Sequence, residues 1–249
     1  MSVQMYAASE YFSCSDSALY SELSGLTEFS ISWWMRADDL TRDLDLICWG
    51  PHSADQTGWL LWRDDQAGGG FNQTDTLSIL TDDDLRGEAA SSTINDGNFA
   101  HYCVTVQLGV SGGYHLYKNG VDVTDAQDSL SGYSALGNPA IPVRFGNVYP
   151  ASGSNWFEGI MDDPRIYNRV LTPVEVQAIY TRRGTDGIVD GLVIRYDLLD
   201  KAPGQDMDGT SDEVRDAGPF GFDSTGDSGT AYATYRESAV LHGTRRRSA

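Results

Sequence analysis

The chain has 249 residues, of which 40% are hydrophobic, and a formal net charge of −19. A chain of this size can bury a full core, so one domain with a tail is the expected organisation. The acidic excess repels phosphate backbones and anionic lipid surfaces, so we expect neither nucleic acid nor membrane as a partner.

The chain start and the cysteines exclude further classes of protein. No apolar run reaches the roughly 20 residues that a membrane-spanning helix needs, and Met1–Met5 lacks the basic start and apolar run of a signal peptide. The three cysteines, Cys14, Cys48 and Cys103, are odd in number and widely spaced. This spacing excludes a paired disulfide framework and a zinc site, and it favours three buried, apolar thiols.

Alternation of apolar and polar residues predicts short β-strands along most of the chain. The predicted strands are 29–35, 44–50, 58–63, 76–80, 99–106, 114–118, 143–146, 159–163 and 192–198. Asn119-Gly120 is typical of a tight hairpin turn, because both residues tolerate positive φ. Short strands at this spacing predict a sandwich or a barrel.

One helix interrupts this pattern. Thr172 is a suitable N-cap, Pro173 occupies the first helical position, and Glu175 completes a capping box. Gly184 provides the stop signal, and we expect this short helix on the rim of the sheets. Residues 200–230 are rich in Asp, Gly and Ser, which predicts an extended loop. We expect a last short strand at 234–237 and a frayed tail that ends in Arg245–Arg247.

Several motifs resemble those of laminin-G-like, concanavalin A-like jelly-roll domains. Residues 156–172 are similar to the family signature F-x-G-x-I-D-D-V-R-I-Y-N-R-A-L-[ST], which precedes a short helix. Residues 29–35, 96–105 and 116–120 resemble the family's F-T-I-S-x-W-V, D-G-x-W-H-H-V-A-V-T and L-Y-V-D-G segments. The resemblance spans residues 3–182 and implies an all-β fold, an antiparallel jelly-roll β-sandwich with one short helix.

Two departures from the family pattern carry structural expectations. Pro164 stands where the family usually has Val, so its strand must lie at an edge or carry a bulge. Residues 191–235 resemble the opening of such domains, yet here they come last. We therefore expect a jelly-roll domain over residues 1–184. A C-terminal segment over residues 185–249, with a flexible Arg-rich tail, completes the sandwich of its own chain or of a neighbouring subunit.

The sequence does not indicate an enzyme. Retaining glucanases of this fold place paired carboxylates on one strand in an E-x-D-x-x-E pattern, which is absent. The nearest substitute is Asp43-Leu44-Asp45, whose carboxylates we expect to face solvent at the start of a strand. His101 lies within a strand at a structural position of the family. We therefore predict no catalytic residues.

Two binding hypotheses follow from the polar and aromatic residues. Asp162 resembles the aspartate that holds a structural calcium ion in related β-glucanases, although it could instead bond loop amides. Trp59 and Trp62, with Asp64 and Asn72, could form an aromatic glycan-binding platform, although the tryptophans could equally belong to the core. No other cofactor is expected.

These observations favour a non-catalytic structural protein that displays a lectin-like fold. We expect a decoration or adhesion component of a virion, in the capsid or tail, that acts as a homo-oligomer or with protein partners at the virion or an extracellular surface. A carbohydrate-binding lectin module is the alternative, motivated by the fold and by Trp59 and Trp62. A glycoside hydrolase is a distant third, because this fold hosts many functions.

Overall fold

A computed structural model describes residues 2–7, 9–39, 41, 44–50, 58–64, 76–81, 85–89, 97–127, 135–148, 155–198, 214–226 and 231–233. The elements in chain order are β1 Ser2–Met5, β2 Phe12–Cys14, α1 Ser17–Leu23, β3 Glu28–Ala37, β4 Leu44–Trp49, β5 Trp59–Asp64, β6 Thr76–Thr81, β7 Leu85–Ala89, β8 Ala100–Gln107, β9 Tyr114–Lys118, β10 Val121–Asp122, β11 Thr124–Gln127, β12 Val143–Phe145, β13 Gly159–Tyr167, α2 Pro173–Arg182, β14 Leu192–Arg195, β15 Thr225–Gly226 and β16 Ala231–Ala233.

The strands form two antiparallel sheets. One sheet has the order β10-β9-β8-β3-β13-β1-β16, with β14 also paired to β13, and we name it the helix-bearing sheet. The other has the order β11-β7-β6-β5-β4-β12-β2-β15, and we name it the opposite sheet. The predicted all-β antiparallel sandwich is confirmed.

The core lies between the inner faces of the two sheets. Phe29, Ile31 and Trp33 alternate along β3 and are fully buried. The ring of Phe29 lies 5.3 Å from that of Trp59 on the opposite sheet. This alternation turns one face of each strand inward, which is why the period-two pattern predicted the strands.

The helix α1 was missing from the sequence prediction, so the expectation of a single helix is wrong. Asp16 caps its first turn, and its carboxylate accepts a hydrogen bond from the Ala18 amide at 2.8 Å. Leu19 and Leu23 lie one turn apart and are fully buried in the core. Seven residues contain too few apolar positions for a helical period to be recognised.

The helix α2 begins as predicted, with a Thr172–Glu175 capping box and Pro173 in its first turn. It does not lie on a rim, however. Val176 and Ile179 pack in a cluster with Cys103 and Tyr167, which belong to the strands β8 and β13. The helix therefore covers the outer face of the helix-bearing sheet.

The C-terminal strands contribute to both sheets. β14 pairs with β13, β15 with β2, and β16 with β1. Tyr196 follows β14 and is fully buried, and its ring makes edge contacts with Phe12 at 5.7 Å and Phe145 at 5.4 Å. The strand β15 falls within the predicted loop 200–230, and the strand predicted at 234–237 lies outside the described residues. The domain limits at 184 and 185 stay a prediction.

Two smaller predictions are confirmed. Cys14, Cys48 and Cys103 are buried free thiols. The register between β13 and β3 shifts between Asp162 and Arg165, which is the bulge expected at Pro164. Proline has no amide proton for the ladder, so a bulge accommodates it inside a sheet.

The outer face of the helix-bearing sheet also buries His101. Its Nε2 lies 2.9 Å from the Ser32 hydroxyl, and its ring lies 5.2 Å from that of Trp34. Complete burial, together with the nearby Arg165 guanidinium, lowers the pKa of His101 to about 3. The residue is thus held neutral within the fold.

Replacing Tyr196 by Ala should destabilise the protein, because the change removes a fully buried aromatic ring and leaves a cavity. We expect the free energy of unfolding to fall by about 3–5 kcal/mol, as for other buried aromatic truncations. Urea denaturation measures it, with the exposed Val189→Ala variant as control. A loss below about 1 kcal/mol would show that the C-terminal segment is not part of the core.

The burial of neutral His101 should make stability depend on pH. The unfolded chain takes up a proton below about pH 6.5, whereas folded His101 does so only near a pKa of about 3. The contribution of neutral His101 to the free energy of unfolding is therefore fully present above pH 6.5 and is lost as the pH falls towards 3. The wild type should therefore lose its advantage in the free energy of unfolding over His101→Gln by about 1.4 kcal/mol for each unit by which the pH falls in that window. A constant difference from pH 7 to pH 4 would refute the buried neutral imidazole.

Candidate functional site

The ends of three strands meet at one end of the sandwich. In the register of the helix-bearing sheet, Gly159 of β13 lies opposite Met5 of β1 on one side and Ala37 of β3 on the other. The residues next to these positions, Tyr6, Glu158 and Asp38, are therefore brought together at one edge. We name Tyr6, Glu10, Arg36, Asp38 and Glu158 the end surface.

Gly159 permits this close approach. Its φ is 149°, in a region that favours glycine. A Cβ atom at this position would collide with the Arg36 carbonyl oxygen and lie 3.1 Å from the Ala37 Cα atom. The Asp38 amide then donates a hydrogen bond of 2.9 Å to the Glu158 carbonyl oxygen, which continues the pairing beyond the strands.

The side chains of the end surface are fixed by mutual contacts. The Arg36 guanidinium donates to both oxygens of Asp38, with 2.6 Å from Nε to Oδ1 and 3.1 Å from Nη2 to Oδ2. The Tyr6 hydroxyl lies 3.4 Å from Asp38 Oδ2, and the Tyr6 amide donates to the Glu10 carboxylate. Burial, and then the Asp38 carboxylate, raise the pKa of Tyr6, so its hydroxyl is protonated at neutral pH.

Tyr6 combines this fixed position with exposure. It is 46% exposed, while the side chains of Arg36 and Asp38 are 21% and 24% exposed. An exposed aromatic ring offers an apolar face, and carboxylates accept hydrogen bonds from hydroxyl groups. The arrangement can therefore stack against the apolar face of a polyhydroxylated ring and accept hydrogen bonds from its hydroxyls.

The segment before β13 joins this surface to the opposite sheet. The Asp45 amide of β4 donates a hydrogen bond of 2.5 Å to the Asn155 carbonyl oxygen, and Asp45 forms an isolated bridge with Trp156. The Phe157 side chain is fully buried between the sheets. Trp156 is half-buried beside the end surface in sequence and is a second aromatic side chain at this end of the fold.

The end surface was not predicted from the sequence. Its residues lie just beyond strand ends that are far apart in the chain, and only the register brings them together. The available signal was a polar or aromatic residue directly after β1, directly after β3 and directly before β13. That signal is common to most strands and is weak without the pairing.

The glycan-binding platform predicted from Trp59 needs correction. Trp59 is fully buried, and its ring contacts those of Phe29 at 5.3 Å and Trp49 at 5.4 Å, so it is a core residue. Trp62 lies on β5 opposite Asp45 of β4. The side chains of Trp62 and Asp64, and the whole of Asn72, lie outside the described residues, so their glycan-binding role stays a prediction.

Asp45 also differs from expectation. It is 1% exposed, whereas the sequence pattern suggested a carboxylate facing solvent. The register between β4 and β5 shifts between Asp45 and Ile47, which breaks the simple alternation there. Asp43, the other member of the pair, lies outside the described residues.

Asp162, the predicted calcium ligand, faces an arginine. Arg183 Nη2 lies 3.1 Å from Asp162 Oδ2, and the Arg183 guanidinium stacks 3.9 Å from the Trp34 ring centre. Burial, with the neighbouring Asp163, raises the pKa of Asp162 to about 6 against the opposing effect of Arg183. Across the described part of the chain, no three His, Cys, Asp or Glu side chains are grouped to hold a metal ion. The calcium hypothesis stays a prediction.

The neighbouring charges form a buried ionic cluster under α2. Arg165 lies 2.6 Å from Asp163 and 3.0 Å from Asp186, and Arg195 lies 2.9 Å from Asp163. Burial raises the pKa of Asp186, but hydrogen bonds from Arg165 outweigh it and hold the value at about 2. Each carboxylate in this cluster has a guanidinium partner, so the cluster joins β13, β14 and the end of α2.

Solved structures of other proteins share this fold. A Bacteroides ovatus protein with a provisional carbohydrate-binding assignment matches with a TM-score of 0.65 and 16% identity, over 92% of this chain and 57% of its own. A heptameric SAP-like pentraxin from Limulus polyphemus matches with a TM-score of 0.55 and 12% identity, over 79% of this chain and 91% of its own. At these identities the likeness establishes the fold alone.

The chain spans little more than half the length of the Bacteroides protein. No curated protein matches the chain. Within the described residues, no helix combines the length and apolar character needed to cross a membrane.

The sequence itself matches a family profile. The profile of the concanavalin A-like lectin/glucanases superfamily matches residues 8–177, which include α1, the strands β2 to β13 and the first half of α2. This is more than half of the chain, and the two-sheet architecture agrees with it. The chain belongs to the concanavalin A-like lectin/glucanase superfamily.

Proposed function

We propose that the protein is a non-catalytic carbohydrate-binding module and that the end surface holds the glycan. The observation that carries the proposal is the exposed ring of Tyr6, held beside the ion-paired carboxylate of Asp38. Glycan sites combine an apolar platform with a few fixed polar groups. The carbohydrate-binding assignment of the Bacteroides protein, which shares this fold, supports the same function.

The environment of the carboxylates supports a binding role over hydrolysis. A general acid must hold its proton near neutral pH, as a carboxyl of raised pKa does. Among the described residues, Asp162 is the carboxyl whose pKa is raised, to about 6, but it is buried and paired with Arg183. It is therefore closed to a glycosidic bond, and we propose that the module binds glycans without cleaving them at a cell or particle surface.

Display on a larger assembly is a second proposal. The strand β16 forms one edge of the helix-bearing sheet, and its Ala233 lies opposite Ser2 of β1. An edge strand can pair with a strand of another chain. We propose that the protein is presented as a homo-oligomer on a particle such as a virion capsid or tail, where the lectin-like domain contacts glycans.

Replacing Tyr6 by Ala should weaken glycan binding at least tenfold, which corresponds to about 1.4 kcal/mol. The change removes the aromatic platform and the exposed contact of its hydroxyl with Asp38, so the unfolding temperature should fall by at most a few degrees. A printed glycan array identifies the glycan, and calorimetric titration measures the affinity. Phe220→Ala is the matched control, since Phe220 is 49% exposed on a loop beside β14. An unchanged glycan affinity in Tyr6→Ala would show that the end surface is not the glycan-binding site.

The assembly proposal predicts a discrete oligomer in solution. Light scattering gives the mass of the full chain and of a chain truncated after Gly226, which lacks β16 but keeps β14, β15 and the buried Tyr196. We expect an oligomer for the full chain and its loss on truncation. A full chain that stays monomeric at high micromolar concentration would contradict the second proposal and leave the glycan-binding proposal intact.

A further inference from the structure

The charges of the end surface are strongly one-sided. Around Tyr6 lie the carboxylates of Glu10, Asp38 and Glu158, and Asp39 follows Asp38 in the chain. Among the described residues, Arg36 supplies the positive charge at this surface. The surface is therefore acidic, as is the whole chain with its net charge of −19.

The guanidinium of Arg36 is already engaged. Its Nε and Nη2 atoms both donate to Asp38, at 2.6 and 3.1 Å. This is the two-pronged geometry with which arginine recognises a carboxylate, sulfate or phosphate group of a ligand. An anionic sugar would have to displace Asp38 to use it.

Three further described arginines, on or near the second half of β13, are also ion-paired with carboxylates. Arg183 pairs with Asp162, and Arg165 and Arg195 pair with Asp163. The side chains of Arg183, Arg165 and Arg195 are only 9%, 1% and 20% exposed. Hydrogen-bond acceptors thus dominate the end surface, and acceptors suit hydroxyl groups.

We propose that the end surface selects uncharged saccharides and rejects those that carry a carboxylate, sulfate or phosphate group. This inference rests on the proposed function and adds its ligand class. The Tyr6 ring stacks on the apolar face of the sugar, and the carboxylates accept hydrogen bonds from its hydroxyl groups. An anionic group meets like charges at the end surface, where the Arg36 guanidinium is already held by Asp38.

The test uses pairs of glycans that differ in charge. The pairs are lactose with 3′-sialyllactose, dextran with dextran sulfate, and methyl-esterified pectin with polygalacturonate, on one array at low salt. For each uncharged glycan that binds, we expect the affinity to be higher than that of its anionic partner by about tenfold or more. Raising the salt concentration to about 1 M shortens the screening length to about 3 Å and should narrow the ratio.

Two variants separate the possible outcomes. Asp38→Asn removes one negative charge and releases the Arg36 guanidinium, so it should reduce the preference for uncharged glycans several-fold. Phe220→Ala should leave the preference unchanged. Thermal unfolding of both variants verifies that they are folded.

Anionic glycans that bind as tightly as their uncharged partners, and lose binding in Tyr6→Ala, would overturn the selectivity while leaving the proposed function in place. A preference for uncharged glycans that is unaffected by salt and by Asp38→Asn would also overturn it. If no glycan binds to the folded protein at all, the proposed function falls, and the selectivity falls with it.

Discussion

The strand β13 and its bulge organise the helix-bearing sheet. On one side β13 pairs with β3 along both of its halves, and on the other side it pairs first with β1 and then with β14. The change of partner occurs around Pro164, where Asp163 has a φ of 46° and the register shifts. Because proline cannot donate to the ladder, the strand has to break its regular pairing here. The carbonyl of Pro164 is still used, since it accepts a hydrogen bond of 3.0 Å from the Tyr196 amide.

The two halves of β13 consequently serve different purposes. The first half aligns β1 and β3 and so assembles the end surface around Tyr6 and Asp38. The second half carries Arg165 and the residues that face α2 and β14. Its buried charges are paired, which avoids the large cost of an isolated charge in the interior.

Local signals in the sequence were sufficient for much of the fold. The alternation in residues 29–35, the capping box at Thr172 and the bulge at Pro164 each depend on neighbouring residues, and all three are present in the structure. The short helix α1 and the seven missed strands, which are two to five residues long, contain few residues in which to show a period. The position of α2 on a face, in place of a rim, depends on long-range packing.

The candidate site could not be predicted in the same way. Whether a tryptophan such as Trp59 is a core residue or a ligand platform depends on which face of a strand lies inward, and the composition of β5 fits both. Asp45 turned inward because a bulge changed the alternation. The end surface depends on the register that places Met5, Gly159 and Ala37 side by side, and register is a property of the paired strands that no single segment contains.

The most direct test of the glycan-binding proposal is a chemical-shift titration of the ¹⁵N-labelled protein with the uncharged oligosaccharide that binds best on the array. If the end surface binds the glycan, we expect saturable shifts at the amides of Tyr6, Arg36, Asp38 and Glu158, with little change on α2. Saturable shifts confined to the opposite sheet around Trp62, or no shifts at millimolar glycan, would contradict it.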